Sequence, residues 1–153
     1  MRIDALQLRY IDALDSKNMD AWVQCFDAAG ESYVCIALEN VQAELPLAIM
    51  MDDRIERIRD RAKFVTEVWA GTFEDYSTRH FVQRLTVQPN GNGLVNARSN
   101  FMVAYTTAQG RSELLATGRY LDEIAVGNAG TVIRSRRAVL DTVTTPRYLV
   151  YPI

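Results

Sequence analysis

The chain has 153 residues, with 17 Lys and Arg against 19 Asp and Glu, a formal net charge of −2, and one histidine, His80. Apolar residues make up 48% and charged residues 24%, an ordinary globular composition that supplies one core and is inconsistent with disorder. One histidine, with two cysteines ten apart (Cys25 and Cys35), excludes a His₃ zinc site, a 2-His-1-carboxylate iron site and a Cys₂His₂ cluster built from one copy. The slightly acidic balance argues against nucleic acid as a partner, because phosphate binding wants a basic surface. No stretch approaches the roughly 18 to 20 apolar residues that span a bilayer. Met1-Arg2-Ile3-Asp4 is not followed by an apolar run, so a cytoplasmic location is expected, and two unpaired thiols fit a reducing compartment. Of the basic residues only Lys17 and Lys63 are lysines. Arginine suits buried and interface ion pairs, although a GC-rich coding sequence gives the same bias.

Ile3, Leu6, Tyr10, Ala13 and Leu14 recur at helical spacing, which predicts an amphipathic helix over 2–14. Asp15 to Asn18 breaks it, and Asn18 is placed to N-cap a short second helix carrying Trp22, Cys25 and Phe26. Residues 31–38 read as a strand. Within 40–51, Leu45 to Met51 predicts an irregular second strand, which Pro46 confines to an edge. The clearest helix is expected to begin at Asp52-Asp53 and run to Trp69, with Ile55, Ile58, Ala62, Val65 and Trp69 on one face. Asp53 with Arg57, and Glu56 with Arg59, have the spacing of surface ion pairs.

Four long strand-like stretches follow at 77–88, 94–107, 111–125 and 131–143, separated by short turns rich in Gly and Asn. They predict an antiparallel meander, with Phe101, Val103 and Tyr105 on one face and Phe81, Leu85 and Val87 on one face. Strands this long curl, so three N-terminal helices can pack on the concave side. The expected architecture is α+β: one domain, residues 1–153, shaped as a cone-like roll of the nuclear transport factor 2 (NTF2) kind. That fold hosts enzymes, binding modules and assembly subunits alike.

His80 is the first candidate for chemistry. A lone histidine could act as a general base with Asp53, Asp60 or Asp122 inside the cone. Its neighbours, Tyr76-Ser77-Thr78-Arg79, fit a structural hydrogen-bonding role instead. The doublets Asp122-Glu123 and Asp52-Asp53 point to opposite sides of their elements and make no dyad. Motifs for a nucleophile elbow, a P-loop, a dinucleotide fold or a zinc protease are absent. Cys25 and Cys35 sit among apolar residues and read as inert thiols. Alternation places Arg134 and Arg136 on one face of the last strand and Arg137 opposite, with Ile133, Val139 and Asp141. An arginine on an apolar face needs a carboxylate partner, and the Arg134/Arg136 pair reads either as a solvated face or as an inter-subunit ion pair. The apolar tail Tyr148 to Ile153 should dock, in cis or on a partner.

Several segments in order resemble the small (beta) subunit of bacterial aromatic-ring-hydroxylating oxygenases. They are Asp53-Arg54-Ile55-Glu56-Arg57-Ile58 with Trp69, Thr78-Arg79-His80-Phe81-Val82, Ser99-Asn100-Phe101-Met102-Val103, Gly118-Arg119-Tyr120-Leu121-Asp122-Glu123-Ile124 and Arg136-Arg137-Ala138-Val139-Leu140-Asp141. The resemblance implies the NTF2-like roll and an assembly of three alpha with three beta subunits, in which the beta chains form a trimeric base. The alpha partner would carry the Rieske 2Fe–2S cluster and a mononuclear Fe(II), with electrons from NAD(P)H through a reductase. It implies no catalytic, cofactor or metal residue in this chain. Interface or structural roles fall to Asp53, Arg54, Arg57, Arg79, His80, Asn100, Arg119, Asp122, Arg136, Arg137, Asp141 and Tyr151. Tyr76 to His80 departs from the Ser-Arg-x-Arg-His form of many members by one missing arginine. The stretches Glu39–Leu47 and Tyr148–Ile153 are similar to those of the branch acting on benzoate-like acids (salicylate, anthranilate or benzoate). Two other readings remain: a stand-alone roll isomerase, dehydratase or hydrolase using His80, and a small-ligand binding module.

Overall fold

The computed structural model describes residues 2–153. Helix α1 (Arg2–Asp15) buries the stripe Ile3, Leu6, Tyr10, Ala13 and Leu14, together with Gln7. Asn18 caps α2 (Met19–Val23) by accepting a 3.0 Å hydrogen bond from the Ala21 amide. Strand β1 (Ser32–Ala37) leads into a short helix α3 (Leu38–Gln42), an element the sequence reading did not assign. Strand β2 (Ala48–Asp52) starts two residues after Pro46 and lies on the sheet edge, where it was expected.

The next helix starts later than its acids suggest. Asp52 is the last residue of β2, Asp53 lies between the elements, and α4 runs Ile55–Lys63. Asp52 accepts two hydrogen bonds from the Arg61 guanidinium, one at 3.0 Å, so its carboxylate joins β2 to α4 rather than facing the helix N-terminus. Residues Phe64–Val68 form a π-helical turn in which the Trp69 amide donates to the Phe64 carbonyl at 2.8 Å. The wider turn rotates Trp69 off the apolar stripe. Trp69 is therefore exposed against Phe64, while Ile55, Ile58, Ala62 and Val65 stay buried.

The meander is β3 (Tyr76–Pro89), β4 (Leu94–Thr107), β5 (Ser112–Gly127) and β6 (Gly130–Leu140). The curved sheet has the order β2-β1-β6-β5-β4-β3. All neighbours are antiparallel except β1 and β6, which run parallel from Ser32↔Ser135 to Ala37↔Leu140. A parallel pair needs a long crossover, and here the whole meander separates the two strands.

Two bulges reset the alternation. In β3 the register shifts between Arg84 and Thr86, so Val87 turns towards the core while Phe81 and Leu85 stay exposed. In β6, Ser135 pairs with Glu123 but Ile133 pairs with Ile124, leaving Arg134 as the extra residue. Ile133 and Arg136 thus both point inward, and Arg137 points out. Arg134 and Arg136 do not share a face, contrary to simple alternation. Gly118 marks the tightest packing: a Cβ there would lie 2.1 Å from the Val139 carbonyl oxygen and 2.7 Å from the Phe101 ring.

Candidate functional site

The centre of the cone is built from residues of α1, β5 and β6. Arg136 of β6 and Asp122 of β5 are cross-strand partners, and both side chains are fully buried. The guanidinium donates to both Asp122 oxygens at 2.8 Å and, at 2.7 Å, to the Gln7 Oε1 on α1. Gln7 Nε2 returns a 3.1 Å hydrogen bond to Asp122. The guanidinium lies between the rings of Tyr10 and Tyr120, 4.0 Å from each centroid. Burial opposes the Arg136 charge, but the adjacent carboxylate outweighs it and holds the group protonated above its ordinary value. Burial also pushes the Tyr10 phenol up to about 12, and Tyr33 and Tyr120 well above theirs. Chemically the acid is saturated by charged and amide donors and the base does not deprotonate, while the Arg136 Nη1 is buried without a partner among the described residues.

The tail seals the same space. The Ile153 carbonyl accepts from the Tyr10 hydroxyl at 2.8 Å and the Tyr33 hydroxyl at 3.1 Å, and the Ile153 amide donates to Tyr33 at 2.9 Å. The Val150 amide donates to the Tyr76 hydroxyl, and the Tyr151 hydroxyl donates to Asp75, which pairs with Lys17 at 2.5 Å. Val150, Tyr151 and Ile153 are buried in cis. Tyr148 alone stays 91% exposed.

His80 lies outside this centre. Its Nδ1 sits 2.6 Å from Asp15 Oδ1 at the end of α1, its amide donates to Asp15 Oδ2 at 3.0 Å, and Thr78 Oγ1 donates to Oδ1 at 2.9 Å. Burial raises the Asp15 carboxyl, but hydrogen bonds from the His80 ring and amide hold it below the usual range. The His80 side chain is 1% exposed, and its Nε2 is buried without a partner among the described residues. None of the expected partners reaches it. Asp122 is held by Arg136, Asp53 faces Arg57 at 3.5 Å and Arg54 at 3.9 Å, and Asp60 is exposed. Burial pushes the Cys35 thiol up to about 12 and raises Cys25, in keeping with inert thiols.

The remaining predicted residues spread over the surface. Arg119 and Arg137 are exposed on the outer sheet face beside Asn100, which donates to Gln83 at 3.2 Å. Arg79 is exposed and donates to the Thr78 carbonyl. Asp141 follows β6 with an exposed side chain. Arg134 pairs with Asp27 and Glu31 of its own chain. Sequence reasoning missed Gln7, Tyr10, Asp15, Tyr33 and Tyr120 as partners in these networks. Gln7 carried a signal, being a polar residue inside the α1 stripe. Asp15 carried none, since its partner is 65 residues away.

The donor set does not fit an iron centre or cluster. The single histidine is engaged by Asp15, and among the described residues no group of three His, Cys, Asp or Glu side chains is gathered for a metal. No described helix is long and apolar enough to cross a membrane.

Comparison with known proteins agrees with this geometry. The sequence profile described as ring hydroxylating beta subunit matches residues 9–147. The small subunit of anthranilate 1,2-dioxygenase from Burkholderia cepacia is 28% identical over 97% of this chain and 90% of its own length. A beta subunit of the terminal oxygenase component of terephthalate 1,2-dioxygenase from Comamonas sp. is 25% identical over all of this chain and 97% of its own. A crystal structure described as the beta subunit of an aromatic-ring-hydroxylating dioxygenase from Novosphingobium aromaticivorans superposes with a TM-score of 0.87. It is 25% identical and covers 99% of this chain and 95% of that one. With its NTF2-like α+β roll, this chain belongs to the ring hydroxylating beta subunit family of dioxygenases.

Proposed function

We propose that this chain is the non-catalytic, assembly-supporting subunit of a multicomponent oxygenase acting on a benzoate-like aromatic acid of the anthranilate, salicylate or benzoate type. It works as a single domain, residues 1–153, in the cytoplasm. Its partner is an alpha subunit holding the Rieske 2Fe–2S cluster and the mononuclear Fe(II), in an assembly of three alpha and three beta chains, with NAD(P)H supplying electrons through a reductase. The observation that carries the reading is the filled cone. Where a roll enzyme would hold a substrate, Arg136, Asp122 and Gln7 close on one another between two tyrosine rings. The anthranilate dioxygenase relative supports the substrate class.

The test is to purify the chain alone and co-expressed with the alpha subunit of the same oxygenase. Alone, with reductase and NADH, it should bind no iron and oxidise no aromatic acid. Co-expressed, it should elute with a larger iron-bearing subunit that turns over. Turnover by the chain alone would overturn the reading.

A further inference from the structure

Among the described residues, seven buried side-chain polar atoms have no hydrogen-bond partner. Two of them, Thr142 Oγ1 and Arg147 Nε, belong to residues that line one groove of about 890 Å³. A buried donor left alone costs free energy, so two in one groove point to a ligand that completes them. The groove is made by the chain that follows β6. Residues 142–150 line it together with Ile49 of β2, Leu140 of β6 and residues 72–74.

Arg147 supplies the charge. Its guanidinium carbon lies 4.0 Å from the centroid of the Tyr76 ring and 5.6 Å from that of Tyr105. Its Nη2 donates to the Glu74 carbonyl at 2.5 Å. These contacts hold the group in place without neutralising it, because no carboxylate pairs with Arg147 among the described residues. A half-buried guanidinium in that condition is a ready site for an anion, and its planar fork suits a carboxylate. Thr142 adds a hydroxyl donor. Thr145 is already engaged: its hydroxyl donates to the Arg147 carbonyl at 2.7 Å and braces the turn.

The other lining residues select the rest of the ligand. Phe73, Val143 and Leu149 give apolar walls, and Tyr148, 91% exposed, adds a second aromatic ring. Such walls leave the hydroxyls of a sugar acid unpaired but pack well on an aromatic ring. Arg147 is the one cation lining the groove and Glu74 the one acid, which favours a monoanion over a dianion.

We propose that this groove binds an aromatic monocarboxylate, with the carboxylate on Arg147 and the Thr142 hydroxyl and the ring against Phe73 and Val143. The proposal goes beyond the assembly role and gives the chain a ligand of its own. The same segment runs into the tail that closes the cone, where the Val150 amide donates to Tyr76. Occupancy is therefore linked to the stability of the folded subunit.

The experiment is calorimetric titration of the full chain, purified without the alpha subunit, with sodium benzoate up to about 10 mM. An acid of about nine non-hydrogen atoms should saturate with a Kd of about 0.1–1 mM. Benzamide keeps the ring without the charge, and acetate keeps the charge without the ring. Each should bind at least about 10-fold more weakly. Arg147→Gln should weaken benzoate by about 10- to 100-fold. Because Arg147 also holds the Glu74 carbonyl, Val143→Asp is the second variant. That side chain is 65% exposed, so the melting temperature should stay within a few degrees of wild type. The added carboxylate repels the ligand's and should lower affinity about 10-fold. No saturable heat by about 10 mM, benzamide as tight as benzoate, or affinity unchanged in Val143→Asp would each overturn the proposal. The subunit assignment is scored separately, by turnover and by co-elution with the alpha subunit, so the two failures are distinguishable.

Discussion

Replacing Arg136 by methionine should lower stability by about 3–5 kcal/mol, because it leaves the Asp122 carboxylate buried with only an amide donor. For a chain of this size that corresponds to a fall in melting temperature of roughly 6–20 °C. The loss has several sources. Two charged hydrogen bonds to Asp122 disappear, and so do the contacts of the guanidinium with the Tyr10 and Tyr120 rings, worth about 2 kcal/mol when desolvated. The double variant Arg136→Met/Asp122→Leu should recover most of the loss, since an apolar pair in place of a buried ion pair is often neutral or stabilising. Calorimetry of the two variants checks this. A single variant melting within about 2 °C of wild type would mean that the ion pair is not the keystone its burial suggests.

The second large effect is expected from the tail. Ending the chain before Val150 should abolish cooperative folding. Val150, Tyr151 and Ile153 each bury apolar surface worth about 1.5–3 kcal/mol. Their removal also leaves the fully buried Tyr10 and Tyr33 hydroxyls without partners, at about 1–3 kcal/mol each. Together these losses reach the whole stability of an ordinary domain, roughly 5–15 kcal/mol. The truncated chain should keep far-ultraviolet dichroism, lose its near-ultraviolet signal and bind an apolar dye, as a chain with secondary structure but no fixed packing does. Tyr148→Ala is the control. That side chain is exposed and should change stability by less than about 0.5 kcal/mol. A sharp wild-type-like melt after truncation would contradict the role given to the tail.

Local signals in the sequence carried most of the fold. The α1 stripe, the Asn18 cap and the Gly- and Asn-rich turns of the meander each depend on residues within one or two turns of one another, and each forms as read. The failures share a cause. A bulge in β3 and another at Arg134 insert one residue, and one residue inverts every side chain beyond it. That is why the buried arginine is Arg136 and not Arg137. The π-turn after Lys63 does the same to Trp69. Pairings across the chain were invisible for a different reason. Arg136 with Gln7, His80 with Asp15 and Ile153 with Tyr10 join residues 65 to 143 apart, and no local pattern encodes them. The candidate site was legible as a set of residue types. The sequence suggested a buried arginine with a carboxylate but not which partner, and it sent His80 towards three wrong aspartates.

On the proposed function this chain supports chemistry performed elsewhere, and His80 is the residue that tests it most sharply. His80 is the chain's one histidine, the residue type most often used for general acid–base work, and it stands against a carboxylate. His80→Gln keeps a hydrogen-bond donor for Asp15 and removes the imidazole. The decisive measurement is turnover per alpha-subunit iron of the complex assembled with this variant, beside its elution volume. Normal assembly and turnover within about twofold of wild type are expected. Intact assembly with turnover lowered by the roughly 10²- to 10⁴-fold that a positioned acid or base contributes would contradict the proposed function.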